Sequence, residues 1–167
     1  MRKVLIGVMG KGEGASTADM DVAFRLGALI AKEGWVVLSG GRNVGVMEEV
    51  NRGAHSENGL TLGLSPEKDA SGMSDAVDIV VVTDMGGARN NINVLSSAVV
   101  IACGDGGAGT ASEIALALKA KKPVVLLNPR PEAESFFKKI GTVSVVHTPD
   151  EAINVVKTLN PEWVVSS

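Results

Sequence analysis

The fold class is decided by the stretch Ile101-Ala102-Cys103-Gly104-Asp105-Gly106-Gly107-Ala108-Gly109-Thr110-Ala111-Ser112-Glu113-Ile114. Its apolar start predicts a buried strand, its glycines predict a turn, and a helical pattern begins at Thr110. Glycine lets the backbone take positive φ angles and approach a ligand closely. The unpaired N–H groups and positive dipole end of the following helix suit an anion such as phosphate. The stretch therefore predicts a strand–turn–helix unit of an α/β fold, either with a ligand at the turn or as a tight connection alone.

The same alternation of apolar strand and helical pattern extends along the chain. Strands that are apolar on both faces predict a parallel sheet with helices on both sides. We therefore expect one Rossmann-like phosphate-binding domain over residues 1–167, with about seven strands. Pro, Gly, Ser and charged residues between Ser65 and Ala76 predict a mobile loop. The predicted strands are Val4–Val8, Trp35–Leu38, Leu60–Leu64, Val77–Thr83, Ala98–Cys103, Val124–Leu127 and Thr142–Val146.

Glycine-rich turns follow three of these strands, the first, the second and the fifth. They span Gly10–Gly14, Ser39–Gly45 and Gly104–Thr110. In a parallel α/β sheet, ligands bind at the carboxyl ends of the strands, where the strand order reverses. We therefore expect the three turns to line a single crevice at that edge.

The composition limits the range of functions. Hydrophobic residues make up 45% of the 167 residues and charged residues 21%, as in an ordinary globular protein. A net charge of −3 and an aromatic content of 3% give no reason to expect nucleic acid or a membrane surface as a partner. One cysteine, no signal-peptide pattern and no apolar run of membrane-spanning length predict a cytoplasmic protein.

These motifs resemble those of the LOG family, whose members are often mislabelled as lysine decarboxylases. The family carries Pro-Gly-Gly-x-Gly-Thr-x-x-Glu after a strand, and the segment Asp105–Glu113 matches it at every fixed position but the first. The family's upstream Gly-Gly-Gly-x-x-Gly-Leu-Met is similar to Gly40–Met47, and its helical Arg-Lys pair corresponds to Arg89-Asn90. The resemblance runs from Val4 to about Val146.

LOG enzymes release a free base from a nucleoside 5′-monophosphate, and the resemblance implies Arg89 and Glu113 as the catalytic pair of such a phosphoribohydrolase. Three departures set this chain apart: Asp105 replaces a proline, Arg42 a glycine and Asn90 a lysine. Short, glycine-rich relatives with such departures look like the molybdenum cofactor carrier proteins, which bind a pterin phosphate on the same fold. The resemblance thus implies carriage or storage of molybdenum cofactor as the leading function, with the phosphoribohydrolase as the alternative.

The candidate ligand-binding residues come from the three turns and from the helix that starts at Arg89. Backbone N–H groups and one hydroxyl are expected to cradle the phosphate, from Gly106, Gly107, Gly109 and Thr110. The other candidates are Gly10, Lys11, Gly12, Gly14, Gly40, Gly41, Arg42, Arg89, Asn90, Asp105 and Glu113.

Two of these side chains have more than one interpretation. Glu113 follows Thr110 by three residues, so it can face the ligand, form a capping box with Thr110, or do both. Arg89 either binds phosphate bidentately, pairs with Glu113, or is a surface arginine at a helix start, where a cation is unfavourable.

Asp105 is the least expected residue beside a phosphate. Its carboxylate repels the phosphate unless Arg42, or less directly Lys11, compensates for the charge. It either accepts a hydrogen bond from an N–H group of a base or pterin, or caps the following helix.

Metal binding and assembly are the remaining expectations. His55 and His147 lie far apart without a cluster of ligating residues around them, so no protein-ligated metal is expected. The apolar helical segments Ile92–Val99 and Ala115–Ala120 predict a homodimer or homotetramer.

Overall fold

The computed structural model describes residues 2–104 and 106–159. In this part of the chain, seven strands pair in parallel to form one sheet. They are β1 (Leu5–Gly10), β2 (Val36–Ser39), β3 (Thr61–Ser65), β4 (Ile79–Val82), β5 (Val99–Cys103), β6 (Val124–Leu127) and β7 (Ser144–Val146). Their order across the sheet is β4-β3-β2-β1-β5-β6-β7. The strand order therefore reverses between β1 and β5.

Helices connect the strands and cover the sheet on both sides. They are α1 (Thr17–Lys32), α2 (Gly45–Ser56), α3 (Arg89–Ser96), α4 (Ala108–Lys119), α5 (Pro131–Ile140) and α6 (Pro149–Leu159). Helices α1, α2 and α6 bury Leu26, Val50 and Val156 against one face of the sheet. Helices α3, α4 and α5 bury their apolar side chains against the other face, with Val94 and Phe137 among them. The predicted Rossmann-like α/β fold is thereby confirmed.

The predicted strands all exist, and their boundaries shift by at most two residues. The last strand on one side of the sheet, β4, is largely exposed, with Ile79, Val81 and Val82 each more than 40% exposed. This strand lies at the edge of the sheet, and the chain returns from it into α3, which packs over β1 and β3. In residues 2–104 and 106–159, β4 therefore packs mainly against its neighbour β3.

Helices α1 and α2 touch through their backbones at two glycines. A methyl group on Gly27 would overlap the carbonyl oxygen of Val50, and one on Gly53 would overlap the carbonyl oxygen of Phe24. Ser16 caps the start of α1 by accepting a hydrogen bond from the backbone N–H of Asp19 at 3.1 Å. The close contact of α1 and α2 at Gly27 and Gly53 fixes the position at which α2 begins. That position is next to the glycine turn after β1.

We predict that Gly27→Ala destabilises the fold although alanine is the better helix former. The added methyl meets backbone rather than a movable side chain, so the free energy of unfolding should fall by about 1–3 kcal/mol, as is typical of overpacking. Urea denaturation would measure the change. Gly109→Ala is the matched control, because Gly109 is also helical but a Cβ there has no neighbour within 4 Å. An equal effect of both substitutions would contradict the prediction.

The expected homodimer or homotetramer stays a prediction. Exposed apolar side chains occur on the layer of α3 and α5, at Leu95, Phe136 and Ile140. Ile92 and the leucines of α4 are half-buried within the same layer.

Candidate functional site

A cavity of about 340 Å³ opens at the carboxyl ends of the strands where the strand order reverses, and we name it the main cavity. All three glycine-rich turns contribute to its wall, as does the start of α3. The sequence-predicted residues that line it are Gly10, Lys11, Gly12, Gly40, Arg42, Arg89, Asn90, Gly107, Gly109, Thr110 and Glu113. The topology thus brings together groups that are up to about a hundred residues apart in the chain.

The other candidates lie elsewhere. Gly14 and Gly41 do not line the main cavity, and Gly41 is buried with its Cα against Gly63. Gly106 lines a neighbouring cavity of about 240 Å³ between α4 and α5, which we name the side cavity. Asp105 lies outside the described residues.

Sequence reasoning missed some of the wall. Val8, Met9, Glu13 and Met47 also line the main cavity. The predicted first strand ends at Val8, whereas the observed strand includes Met9, and only the reversal of strand order places that strand end beside a ligand site. Met47 stands at the last position of the motif that resembles the family's upstream glycine motif, which was the available signal.

The floor of the main cavity is a buried ion pair. Arg89 is 8% exposed and Glu113 is 6% exposed, and Arg89 Nη1 lies 3.9 Å from Glu113 Oε1, beyond hydrogen-bond range. Asn93 Nδ2 donates a hydrogen bond of 3.0 Å to Glu113 Oε1. Arg89 Nε has no hydrogen-bond partner. The Arg89 side chain lines the open cavity, and a guanidinium in such a place can bind an oxyanion.

Burial dominates the electrostatics of this pair. It lowers the pKa of the Arg89 guanidinium, an effect that the Glu113 charge opposes and that the Arg42 charge adds to. It raises the pKa of the Glu113 carboxyl above its ordinary value of 4.5, and the hydrogen bond from Asn93 and the charge of Arg89 only partly offset it. Both groups are therefore destabilised in their charged forms by the surrounding protein.

Gly40 leaves room for the guanidinium to pass close over the turn after β2. A Cβ at this position would lie 2.7 Å from Arg89 Nη2 and 2.6 Å from Met47 Sδ. The guanidinium is therefore packed directly on the backbone of the second glycine turn. This contact holds Arg89 between Gly40 and Glu113, which excludes the interpretation of Arg89 as a surface arginine.

Four helices begin at or near the main cavity, and their first N–H groups have different partners. Helix α1 has its Ser16 cap and Asp19 in its first turn. Helix α2 has Glu48 in its first turn, and the N–H of Val46 donates to the carbonyl of Lys11 at 3.0 Å. Helix α3 has neither a side-chain cap nor an acidic residue in its first turn, but it continues a 3-10 turn in which the N–H of Arg89 donates to the carbonyl of Gly86. Helix α4 has the N-cap residue Gly107, no side-chain cap and no acidic residue in its first turn, so its start is the best suited to an anion.

The capping box of Thr110 and Glu113 is not formed. Helix α4 begins at Ala108, two residues before the predicted start, so Thr110 lies inside the first turn and not at the N-cap. Glu113 instead points to Asn93 and Arg89. Asn90, which stands where the family has lysine, ties α3 to α4 through a hydrogen bond from Nδ2 to Ser112 Oγ at 3.1 Å.

Arg42 is positioned by the segment after β3. Arg42 and Met73 form an isolated antiparallel bridge, and the N–H of Ser74 donates to the carbonyl of Gly41 at 2.8 Å. The N–H of Asn43 donates to the carbonyl of Gly72 at 3.0 Å. The segment predicted as a mobile loop is thus hydrogen-bonded to the turn that carries Arg42, while its mobility stays a prediction.

The comparison with protein families decides the affiliation. The model of the SLOG cluster4 family matches residues 3–153. The chain belongs to this family. The resemblance to LOG proteins and their molybdenum cofactor carrier branch is therefore confirmed.

Individual relatives agree with this affiliation. The structure of the molybdenum cofactor binding protein of Rippkaea orientalis is 53% identical, with a TM-score of 0.93, and the alignment covers 95% of this chain and 98% of that one. The molybdenum cofactor carrier protein of Chlamydomonas reinhardtii is 51% identical, with a TM-score of 0.88 and the same coverage. An uncharacterised protein of Archaeoglobus fulgidus is 43% identical over 92% of this chain and 95% of its own length.

Two features are absent from the described residues, 2–104 and 106–159. These residues contain no group of three or more His, Cys, Asp or Glu side chains that could hold a metal ion. None of their helices combines the length and apolarity needed to cross a membrane.

We predict that Glu113→Gln changes how stability depends on pH. Because the pKa of Glu113 is raised in the folded protein, this group stabilises the fold most below pH 4.5 and loses that contribution as pH rises from 4.5 through the raised pKa. The variant lacks this titration, so its free energy of unfolding should increase relative to wild type over that range. Urea denaturation at a series of pH values would measure it. Parallel pH profiles for the two proteins would contradict the prediction.

Proposed function

We propose that the protein binds and carries or stores molybdenum cofactor, a phosphorylated pterin. The cofactor's phosphate would bind the N–H groups at the start of α4, and its ring system would occupy the main cavity. Lys11, Arg42 and Arg89 would supply the positive charge that faces the phosphate. In this proposal the protein holds its ligand and has no bond to break.

The observation that carries the proposal is the pairing of an uncapped helix start with a buried, incompletely bonded arginine. The first turn of α4 has no acidic residue and no side-chain cap, and Arg89 Nε has no partner. Both groups line the same cavity. The helix start offers N–H donors to an oxyanion and the guanidinium offers positive charge, and charge-assisted hydrogen bonds of this kind are short and strong.

Relatives support the choice of ligand. The proteins of Rippkaea orientalis and Chlamydomonas reinhardtii, about half identical to this chain, are a molybdenum cofactor binding protein and a molybdenum cofactor carrier protein. The pterin, the heterocycle of the proposed ligand, is proposed because of this similarity. The geometry alone supports the coarser statement of a phosphorylated small molecule.

A phosphoribohydrolase of the LOG type is the second candidate. It is favoured by one observation, that Arg89 and Glu113 lie together at the cavity floor. In such an enzyme an ionised carboxylate would stabilise the oxocarbenium-like centre. Burial disfavours the ionised form of Glu113, and the hydrogen bond from Asn93 offsets this effect only in part. The burial of Glu113 therefore supports the carrier over the enzyme.

We predict that Arg89→Gln weakens binding of molybdenum cofactor by about tenfold to a hundredfold, the range expected for one hydrogen bond to a charged group. Molybdenum that stays with the protein after gel filtration would be measured by mass spectrometry. The matched control is Arg52→Gln, because Arg52 is an exposed arginine of α2 paired with Glu49 at 2.8 Å.

Arg89→Gln alone leaves the buried Glu113 carboxylate without its cationic partner, which could impair folding. The double variant with Arg89→Gln and Glu113→Gln removes this carboxylate as well and therefore separates a loss of binding from a folding defect. Undiminished retention by both Arg89 variants, or an equal loss in the Arg52 control, would contradict the role of Arg89.

We predict negligible release of adenine when the protein is incubated with AMP. Liquid chromatography would detect free adenine, and Glu113→Gln would serve as the inactive reference. Turnover on the order of 1 per second or faster, abolished in that variant, would establish the second candidate in place of the carrier.

A further inference from the structure

The two edge strands of the sheet differ in how well they are covered. At one edge, β7 contributes Val146 and Val145 to the two core layers on either side of the sheet. At the other edge, β4 exposes Ile79, Val81 and Val82. Successive strand residues point to opposite faces, so β4 presents apolar surface on both of its faces. An exposed apolar edge strand of this kind is a template for pairing with another chain.

The outer backbone edge of β4 is open in residues 2–104 and 106–159. The strand pairs with β3 on its inner side and is the last strand in the order of the sheet. The N–H of Thr83 donates to the carbonyl of Ser65 in β3 at 3.2 Å. Because the backbone groups of successive strand residues point to opposite sides, those of Val80 and Val82 face outward. The strand contains no lysine or proline, the residues that commonly block pairing at a sheet edge.

Hydrogen bonds fix both ends of β4. At its start, Asp78 Oδ2 accepts hydrogen bonds from the N–H of Thr61 at 2.8 Å and from the Thr61 hydroxyl at 2.9 Å. At its end, the Thr83 hydroxyl donates to the carbonyl of Ser65 at 2.7 Å. A strand that is already held in its extended form loses little conformational entropy when a partner segment pairs with it.

Acidic side chains flank this edge of the sheet. Asp78 directly precedes β4 and Asp84 follows it by two positions, and both are exposed. Between residues 66 and 88, one side chain, that of Lys68, is basic, and five are acidic: Glu67, Asp69, Asp75, Asp78 and Asp84. The edge therefore combines an apolar middle with negative charge at both ends, and such a surface attracts a basic partner.

The position of these charges distinguishes between two occupants of the edge. A second copy of this chain, related by a two-fold axis, would pair its β4 antiparallel to the first. The acidic start of one strand would then lie beside the acidic end of the other, and like charges across paired strands are destabilising. A segment with lysine or arginine at both of its ends meets opposite charge in either direction. The charges therefore favour a different protein over a second copy.

We infer that β4 is a docking edge for another protein, which adds an extended segment to the sheet. The segment has about five consecutive β-branched, largely apolar residues, because both faces of β4 are apolar, and it has lysine or arginine at each end. The chain runs from β4 through the exposed residues 84–88 to Arg89 in the wall of the main cavity, so the docked segment lies close to the residues that lead into the candidate site. The inference goes beyond the proposed function and holds whichever ligand the main cavity binds.

The experiment uses three synthetic peptides that carry a fluorescent label. The first is Lys-Arg-Val-Thr-Val-Ile-Val-Arg-Lys. The second has Glu and Asp in place of its four basic residues, and the third is the basic peptide with methylated backbone nitrogens throughout its core. The third keeps the charges and side chains but cannot donate the backbone hydrogen bonds of an added strand. Fluorescence anisotropy should show that the protein binds the first peptide about tenfold or more tightly than either of the others.

Two variants locate the binding. Val82→Lys places a positive charge at the middle of the edge and should weaken binding of the basic peptide by about tenfold or more. Asp84→Asn removes one flanking charge and should weaken it by about twofold to fivefold. Asparagine is tolerated at this position, where φ is 50°. Leu95→Lys is the matched control, because Leu95 is an exposed apolar residue of α3, and it should keep the wild-type affinity.

The remaining outcomes overturn the inference. If the basic peptide does not bind, or if the methylated peptide binds equally well, β4 does not pair with an added strand. If Leu95→Lys weakens binding as much as Val82→Lys, the peptide does not bind at β4. If light scattering shows an oligomer that Val82→Lys dissociates, a second copy covers β4. Retention of molybdenum cofactor by the wild type is measured separately, so the proposed function can stand or fail independently of these results.

Discussion

The reversal of strand order between β1 and β5 is the constraint from which the site follows. The chain builds the sheet outward from β1 to β4 and then returns to place β5 on the other side of β1. Helix α1 follows β1 on one face, and α4 follows β5 on the opposite face. The two connections therefore diverge, and a crevice opens between them. The backbone contact of α1 with α2 brings the start of α2 into the same crevice, where Val46 N–H donates to the Lys11 carbonyl.

Within this crevice the buried charges are placed at an energetic cost. Removing a guanidinium and a carboxylate from water is unfavourable, and their attraction offsets that cost only when the geometry is close and fully hydrogen-bonded. Arg89 and Glu113 are 3.9 Å apart, and Arg89 Nε is unpaired. The pair is therefore a poor source of stability. Perturbed charges of this kind in a cavity are more typical of a functional site.

The sequence predicts the sheet, the helices and the edge at which three glycine turns meet, because these depend on local pattern and on the rules of parallel topology. It does not predict the start of α4 at Ala108, because a glycine N-cap leaves no side-chain signal. Nor does it predict the hydrogen bond of Asn93 with Glu113 or the bridge of Arg42 with Met73, which join residues 20 and about 30 positions apart through side-chain and loop geometry. The side cavity is missed for the same reason, since its walls come from β5, β6, α4 and α5.

Carriage and hydrolysis make different demands on the same cavity. A carrier is served by any interaction that stabilises the bound ligand, whereas an enzyme gains only from interactions that strengthen in the transition state. Lys11, Arg42 and the uncapped start of α4 would act on a phosphate that carries its charge throughout, so in the proposed carrier they would favour retention. Glu113 is the group whose negative charge would help an oxocarbenium-like centre selectively, and it is the group whose pKa burial raises. The charge distribution of the site therefore favours holding a phosphorylated ligand over breaking its glycosidic bond.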